Sequence, residues 1–316
     1  MLYGFLFKTI AVVLPIFLVI SFVVSLAAVE VSSKQTVAFD VKKGDGFKDV
    51  SRQLKEAGLI KSETWFKIYS LVTGSAHLFK PGIYNLSRRF SLPQIVRLLM
   101  AGPEDIKVTI QEGETLVDID RKLSLAKVIE PEALIDFNKL QSRSQEGFLF
   151  PDTYNFAPAS PIEKVVEKFL NNFQEKVGEA DYQDLIMASL IEKEAIHSQD
   201  RLLVAGVFKK RLAIGMPLQV DATIVYAKCR GAFLTCDDDT RKLSRQDLKM
   251  NNPYNTYTNK NLPPTPIANP GKSALMAARN PQSSKYLYYI SDPKTGRIIF
   301  ARTLDEHNEN RLEYLK

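Results

Sequence analysis

Twenty consecutive residues near the N-terminus, Ile10 to Val29, carry no charged side chain. An apolar run of this length is long enough to cross the hydrocarbon core of a bilayer as a helix. Lys8 precedes the run and Glu30 follows it, which places positive charge on the N-terminal side. The sequence therefore predicts a cytoplasmic tail (residues 1–9), a transmembrane anchor (residues 10–29) and an exported body. A cleaved signal peptide is the alternative, because the SLA sequence of residues 25–27 resembles a small-x-small cleavage site.

The rest of the chain has the composition of an ordinary globular protein. Its 316 residues allow about two domains with a sizeable core. The 42 Lys and Arg residues outnumber the 36 Asp and Glu residues and give a net charge of +6. These cations are spread along the chain, and no nucleic-acid-binding motif accompanies them. The composition thus argues against a nucleic-acid partner and suits an anionic extracytoplasmic environment.

The two cysteines, Cys229 and Cys236, bracket the short loop CRGAFLTC. An exported protein permits a disulfide between them, and the sequence leaves open whether it forms. A cysteine pair without histidines at zinc-finger spacing does not make a zinc site.

An internal repeat follows the apolar run. The segment from Val41 to Leu54 matches the segment from Ile110 to Leu123, and each copy is predicted to form a short strand, a glycine turn and a helix. Thr115 and Asp118 have the spacing of a capping box at the start of the second helix. The pattern resembles a LysM-type glycan-binding module. The alternative is a small βα packing unit that binds no ligand.

One predicted helix carries a carboxyl group on an apolar face. At about 100° per residue, Glu194 lies near the middle of an apolar stripe, whereas Glu192 points to nearly the opposite side. The stripe comprises Ile186, Met187, Leu190 and Ile191. Burial disfavours the ionised carboxylate and raises its pKa, as proton donation near neutral pH requires. The alternative is a buried glutamate that pairs with an arginine or lysine.

Two polar clusters follow this helix in the sequence. Amides, hydroxyls and aromatic rings are side chains that suit sugars, because they bond hydroxyl and N-acetyl groups and stack on sugar faces. Local turn and cap chemistry is the alternative explanation for each cluster. The candidate substrate-binding residues are Gln219, Asp221, Tyr226, Asn255, Thr256 and Tyr257.

The order of short motifs along the chain resembles that of a known family. The motifs are EGFLFPDTY, ASLIEKEA, RLAIGMPLQVD, LSRQDL, YNTYT, NLPP, IANPG and a terminal HN. Together with the N-terminal run and the repeat, they resemble the YceG-like family, the MltG-type endolytic murein transglycosylases. The chain departs from that pattern at Ala222, where relatives have proline, and in the Cys229–Cys236 loop.

The resemblance implies cleavage of the β-1,4 bond between N-acetylmuramic acid and N-acetylglucosamine in nascent peptidoglycan, leaving 1,6-anhydro-muramic ends and limiting strand elongation. The family's catalytic glutamate, the second of the E-K-E motif, corresponds to Glu194. No metal or organic cofactor is implied. The implied partners are glycan strands and cell-wall synthases (penicillin-binding proteins), at the bacterial inner membrane with an extracytoplasmic body. Two alternatives remain: a muramidase-type hydrolase that uses Asp221 or Glu192 as a second carboxylate, and a non-catalytic peptidoglycan-binding scaffold.

We therefore expect an α+β fold with an N-terminal transmembrane helix, LysM-like βα modules and a mixed helix and strand catalytic domain. The expected boundaries after the anchor are residues 36–103 for the first LysM-like domain, 104–160 for the second repeat and connector, and 161–316 for the catalytic domain. Within them the sequence predicts a capping box of Ser91 and Gln94 and a hairpin of strands 286–290 and 297–301 around the turn DPKTG. The predicted helices include residues 63–72, 92–100, 162–176, 182–196 and 200–213.

Overall fold

The computed structural model describes residues 2–33 and 35–315, with side chains described from residue 13 onward. The chain divides into two compact units. The first contains Met1–Ile106 with Ala157–Ala159, and the second contains Lys107–Phe156 with Ser160–Lys316. The second repeat therefore belongs to the same unit as the residues that follow it. The mixed α+β class is confirmed, with many helices and small two-stranded sheets.

The first unit packs three short helices against one two-stranded antiparallel sheet. Strand β1 pairs antiparallel with β2, from Thr36 opposite Ser87 to Val41 opposite Gly82. A capping box of Ser91 and Gln94 begins α4, as its sequence predicts. The elements are α1 (Leu2–Leu26), β1 (Thr36–Val41), α2 (Phe47–Glu56), α3 (Glu63–Val72), a 3-10 turn (Ser75–His77), β2 (Gly82–Ser87) and α4 (Leu92–Ala101).

The N-terminal helix α1 contacts the rest of this unit near its C-terminal end. The indole Nε1 of Trp65 donates to Ser21 Oγ at 3.0 Å, and its ring lies 5.2 Å from that of Phe22. Among the described residues, no helix has the length and apolarity that crossing a membrane requires. The anchor predicted for residues 10–29 is therefore not confirmed, and the predicted tail, residues 1–9, lies outside the residues whose side chains are described.

The two copies of the internal repeat share local structure as well as sequence. In both copies a strand leads through a glycine with positive φ into a ten-residue helix: Gly44 at φ 100° precedes α2, and Gly113 at φ 81° precedes α5 (Leu116–Leu125). The predicted capping box of Thr115 and Asp118 is present. The second copy begins with β3 (Ile106–Thr109) and continues through α6 (Ala133–Lys139) to β4 (Thr153–Phe156), which pairs with β3.

The remainder of the second unit is built around α8. The helix contacts α9, α10 and α12, and every residue from Leu185 to Ile191 is buried. This stretch therefore has no solvent-facing side, in place of the single apolar face that the sequence suggested. The elements are α7 (Ile162–Val177), α8 (Tyr182–Glu194), α9 (Ser198–Ala213), α10 (Asp221–Lys228), α11 (Asp238–Arg241), a 3-10 turn (Asp247–Lys249), α12 (Lys272–Arg279), β5 (Tyr288–Ser291), β6 (Ile298–Ala301) and α13 (Leu304–Tyr314).

Most predicted elements of this unit are confirmed, with differences at their ends. Strands β5 and β6 pair antiparallel as the predicted hairpin, whereas α8 ends at Glu194 and not at Ile196. The sequence missed α10, because its residues were interpreted as a polar cluster. Cys229 and Cys236, whose pairing the sequence left open, form a disulfide directly after α10.

The side chain of Asn269 joins three segments of the second unit. Its Oδ1 accepts from the backbone N–H groups of Gly147 and Leu149 at 2.8 and 2.9 Å. Its Nδ2 donates to the Glu114 carbonyl and to Glu146 Oε1, both at 2.9 Å. Asn269 is fully buried, so all four hydrogen bonds are shielded from water. The IANPG loop is thereby fixed to the turn of the second repeat and to the EGFLFP loop.

Replacing Asn269 with Ala should lower the free energy of unfolding by about 3 kcal/mol or more, because two N–H groups and a carboxyl lose buried partners. Urea denaturation followed by circular dichroism measures the change. Asn251→Ala, at an exposed position, is the control and should stay within about 0.5 kcal/mol of wild type. A loss below about 1 kcal/mol for Asn269→Ala would contradict the role assigned to this amide.

Candidate active site

Glu194 is the last residue of α8, and its carboxyl group lines a cavity of about 330 Å³. The next residue, Ala195, has extended backbone dihedrals of −129° and 124°, so the helix ends abruptly there. Three of the predicted substrate-binding residues line the same cavity, namely Gln219, Asp221 and Tyr257. The structure thus brings together the predicted proton donor and half of the predicted sugar-binding set.

The surroundings of Glu194 favour its protonated form. Burial raises the pKa of the Glu194 carboxyl to about 7, and the negative charge of Asp221 acts in the same direction. The hydroxyl of Tyr289 donates to Glu194 Oε2 at 2.9 Å and lowers the pKa, as does the more distant charge of Arg211. The C-terminal end of α8 also disfavours a negative charge, because the unpaired carbonyls of a helix end are directed there. The group is therefore poised to exchange a proton near neutral pH.

The cavity holds a second carboxyl group, that of Asp221 at the start of α10. Its Oδ1 accepts a hydrogen bond from the hydroxyl of Tyr257. Burial and this contact raise the pKa of Tyr257, so the phenol remains a neutral donor. Gln219, two residues before Asp221, has a left-handed backbone with φ 56°, and its N–H donates to the Thr256 carbonyl at 3.0 Å. An unfavourable conformation held in this way is typical of residues whose position matters for function.

Two of the other predicted residues make hydrogen bonds to the backbone of segments next to the site. Asn255 is fully buried, and its amide donates to the carbonyls of Leu248 and Met250 at 3.2 and 2.7 Å. The hydroxyl of Thr256, also buried, accepts from Val220 N–H at 2.9 Å. Both residues therefore shape the loops that carry Gln219 and Tyr257 but do not line the cavity.

Tyr226 lies elsewhere in the second unit. Its ring packs 5.0 Å from that of Tyr254, and its hydroxyl donates to Glu146 Oε2 at 3.3 Å. It does not line the cavity that contains Glu194. Its predicted contact with substrate stays a prediction without support from this geometry.

Glu192 occupies a different environment from Glu194. Its side chain is 5% exposed, and its Oε1 accepts from Arg201 Nη2 at 2.5 Å while its Oε2 accepts from Gly271 N–H at 2.9 Å. The alternative of a buried glutamate paired with an arginine thus describes Glu192. It does not describe Glu194, whose side-chain hydrogen-bond partner among the described residues is Tyr289.

Seven residues of the cavity were not among the predicted site residues, and four of these carry a cationic or aromatic side chain. Arg211 comes from the end of α9, Tyr288 and Tyr289 come from β5, and His307 comes from α13. The tyrosines were interpreted only as strand residues, since nothing in the local pattern relates β5 to α8. The sequence signals were the RLAIGMPLQVD motif, which begins with Arg211, and the HN motif around His307. In the described part of the chain, no group of three His, Cys, Asp or Glu residues could hold a metal ion.

Replacing Tyr289 with Phe should raise the pKa of Glu194 above about 7, because the phenol's hydrogen bond stabilises the ionised carboxylate. Carboxyl ¹³C NMR titration measures this pKa, with the Glu194→Gln spectrum identifying the resonance. Tyr286→Phe removes the same hydroxyl from a tyrosine that stacks on Phe300, and it should leave the titration unchanged. An unchanged or lower pKa in Tyr289→Phe would show that the hydrogen bond does not act on the carboxylate.

The sequence is similar to those of curated proteins that bear the name of one enzyme. A protein of Bacillus subtilis (strain 168) named endolytic murein transglycosylase is 32% identical, over 92% of this chain and 88% of that protein. A protein of Streptococcus pneumoniae (serotype 2, strain D39 / NCTC 7466) with the same name is 28% identical over 92% of this chain, which spans 60% of that relative's length.

A solved structure is similar as well. The crystal structure of a yceG-like protein from Listeria monocytogenes has 30% sequence identity and a TM-score of 0.54, and the match covers 88% of this chain and 100% of that one. The family model described as YceG-like family matches residues 39–313, which include both repeats and every residue that lines the cavity except Leu315. The chain therefore belongs to the YceG-like family.

Proposed function

We propose that this protein is an endolytic lytic transglycosylase that cleaves the bond between N-acetylmuramic acid and N-acetylglucosamine within peptidoglycan strands. The observation that carries the proposal is the Glu194 carboxyl, which faces a polar cavity and has a pKa of about 7. Relatives over most of the chain bear the name endolytic murein transglycosylase.

In the first step Glu194 acts as the general acid. Its protonated carboxyl donates to the glycosidic oxygen as the bond to C1 of the muramic residue breaks, and the sugar ring acquires oxocarbenium character. A donor with a pKa near the working pH is effective because it is still protonated and yet gives up its proton readily. Tyr289 then donates to the carboxylate that results.

In the second step the Glu194 carboxylate acts as the base. It accepts the proton of the muramic C6 hydroxyl, whose oxygen attacks C1 of the same residue and closes the 1,6-anhydro ring. The carboxyl group is thereby returned to its protonated form. An intramolecular nucleophile has an effective concentration that water lacks, so no nucleophilic carboxylate is required.

Asp221 and Gln219 are proposed to act on the sugar. The Asp221 carboxylate, held by Tyr257, lies in the same cavity as Glu194 and supplies negative charge toward the developing oxocarbenium ion. Gln219 and Tyr257 offer an amide and a ring to the sugar hydroxyl and N-acetyl groups. The ion pair of Glu192 with Arg201 argues against Glu192 as a second catalytic carboxylate.

We also propose that the helix α1 anchors the protein in the cytoplasmic membrane, with the two units outside the cytoplasm, beside the synthases that make glycan strands. The uncharged run from Ile10 to Val29 supports this placement, and large apolar side chains from Val13 to Val24 are exposed. The disulfide of Cys229 and Cys236 is typical of an oxidising compartment. A glycan-binding role for the LysM-like repeats belongs to the same proposal.

Glu194→Gln should abolish strand cleavage while preserving strand binding, because the amide keeps the shape of the carboxyl but carries no transferable proton. The full-length protein is incubated with uncrosslinked glycan strands, and mass spectrometry identifies the products. Glu163→Gln, at an exposed position on α7, is the matched control and should cleave at the wild-type rate.

Anhydro-muramic ends from the wild type and none from Glu194→Gln are the expected result. Products heavier by one water would identify a hydrolase and direct attention to Asp221. Binding without cleavage by the wild-type protein would instead favour a scaffold.

The rate should depend on pH in the direction that the Glu194 pKa dictates. Because the acid form is the reactive one, kcat/KM should fall by about tenfold per unit as pH rises above about 7. Tyr289→Phe should move this fall to higher pH, whereas Tyr286→Phe should leave it in place. A rate that stays constant from pH 6 to 9 would exclude Glu194 as the proton donor.

A further inference from the structure

The Arg211 guanidinium is a buried cation with no carboxylate partner among the described residues. The residue is 4% exposed, and within the described residues no carboxylate oxygen lies within 4.0 Å of its nitrogens. A buried charge is normally compensated by an ion pair or by a full set of hydrogen bonds. Arg201, the other buried arginine of this unit, has such a pair with Glu192.

Backbone carbonyls accept hydrogen bonds from only some of the N–H groups of the Arg211 guanidinium. Its Nε donates to the Leu287 carbonyl at 2.7 Å, and its Nη1 donates to the carbonyls of Leu218 and Pro217 at 2.6 and 3.4 Å. A guanidinium has five N–H donors. The donors of Nη2 have no partner in the part of the chain that the structure describes, and Arg211 lines the cavity beside Glu194.

Two aromatic residues complete this side of the cavity. The Tyr288 ring centroid lies 5.6 Å from Arg211 Cζ and 5.5 Å from the His307 ring. His307 also lines the cavity, and its Nδ1 is buried without a hydrogen-bond partner among the described residues. No group in the described part of the chain therefore fixes which ring nitrogen carries the proton, and the His307 ring can act toward a ligand in the cavity as a donor or as an acceptor.

The ligand that fits this cluster is a neutral oxygen acceptor. The cavity already contains the carboxyl groups of Glu194 and Asp221, so an anionic ligand would be repelled from one side while it is attracted to the other. An acyl carbonyl oxygen accepts from a guanidinium without adding charge. If the proposed function holds, the muramic residue brings two acyl groups close to the bond that breaks, the 2-acetamido group and the 3-lactyl amide.

We propose that Arg211 and His307 form a subsite, bridged by Tyr288, that binds an acyl oxygen of the muramic residue. The subsite positions the sugar so that its glycosidic oxygen meets Glu194, and it selects muramyl strands over glycans without that acyl group. This inference rests on the proposed function for the identity of the sugar, but not for the existence of an acceptor-binding subsite.

The test compares wild type and Arg211→Gln on three substrates: uncrosslinked strands, the same strands de-N-acetylated, and strands whose peptides have been removed to leave the lactyl carboxylate. Arg211→Gln should lower kcat/KM on the first substrate by about 10- to 100-fold, the range of a charged hydrogen bond. Arg279→Gln is the matched control, because Arg279 also donates to backbone carbonyls but does not line the cavity.

The ratio of wild-type to Arg211→Gln activity on each substrate identifies the oxygen. If the acetamido group is bound, the ratio should fall toward one on the de-N-acetylated strands, since the wild type loses the same contact. If the lactyl group is bound, the ratio should rise on the peptide-free strands, because a carboxylate binds guanidinium more strongly than an amide does. An identical ratio on all three substrates would overturn the proposal and leave Arg211 with a purely structural or electrostatic role.

A second variant, His307→Phe, tests the same subsite in case Arg211→Gln does not fold. His307→Phe keeps a ring against Tyr288 and removes both ring nitrogens, which make no hydrogen bond to the described residues. It should lower kcat/KM about fivefold with the same substrate dependence. If the wild type does not cleave any strand, calorimetry measures the binding of the three kinds of strand instead. The proteins compared are then Glu194→Gln and the double variant Glu194→Gln with Arg211→Gln. Acyl-dependent binding without cleavage would then refute the proposed function and retain the subsite.

Discussion

The side-chain amide of Asn269 is the interaction on which the arrangement of the second unit depends. It fixes the IANPG loop to the turn of the second repeat and to the EGFLFP loop. The same loop holds the end of α8, since Gly271 N–H donates to Glu192 and Ile267 N–H donates to Ser189 Oγ at 3.0 Å. The position of Glu194 is therefore determined by contacts on the opposite side of its helix. The turn of the second repeat is hydrogen-bonded to the IANPG loop through Gly113 and Glu114.

A raised pKa does not by itself identify the reactive carboxyl group. Burial raises the pKa of Glu146 to about 8, further than that of Glu194. Yet the Glu146 oxygens accept from Leu116 N–H, from Asn269 and from Tyr226, so protein donors surround the group. Of these two groups, Glu194 is the one that combines a pKa near neutrality with a place on a cavity large enough for a sugar. The geometry, rather than the size of the shift, distinguishes a structural carboxyl from one that can reach a substrate.

The sequence predicted those features that are set within a few residues of the chain. The capping boxes at Ser91 and Thr115, the α3 helix and the hairpin of β5 and β6 follow from local spacing and turn chemistry, and the structure contains them. Tyr289 and Arg211 could not be found in this way, because they reach the cavity only when β5 and α9 pack beside α8. The sequence selects Glu194 on the assumption of one apolar face, but α8 is buried on all sides from Leu185 to Ile191. The residue is distinguished instead by its place at the end of the helix, where the protein packing stops and the cavity begins.

The chemistry of the cavity explains why, among the described residues, Arg211 donates its hydrogen bonds to backbone carbonyls and forms no ion pair with a carboxylate. If the guanidinium contacted Glu194 directly, the ion pair would lower the carboxyl pKa and hold the group ionised, so it could not donate a proton near neutral pH. If it paired with Asp221, the cavity would lose the negative charge that opposes ionisation of Glu194. Hydrogen bonds to the carbonyls of Leu287, Leu218 and Pro217 hold the cation on the cavity, where it can bind a neutral oxygen, without an ion pair to either carboxyl group. The donors that the carbonyls leave unpaired belong to a residue that lines the cavity, so a ligand that supplies an acceptor there adds hydrogen bonds that the described residues do not make.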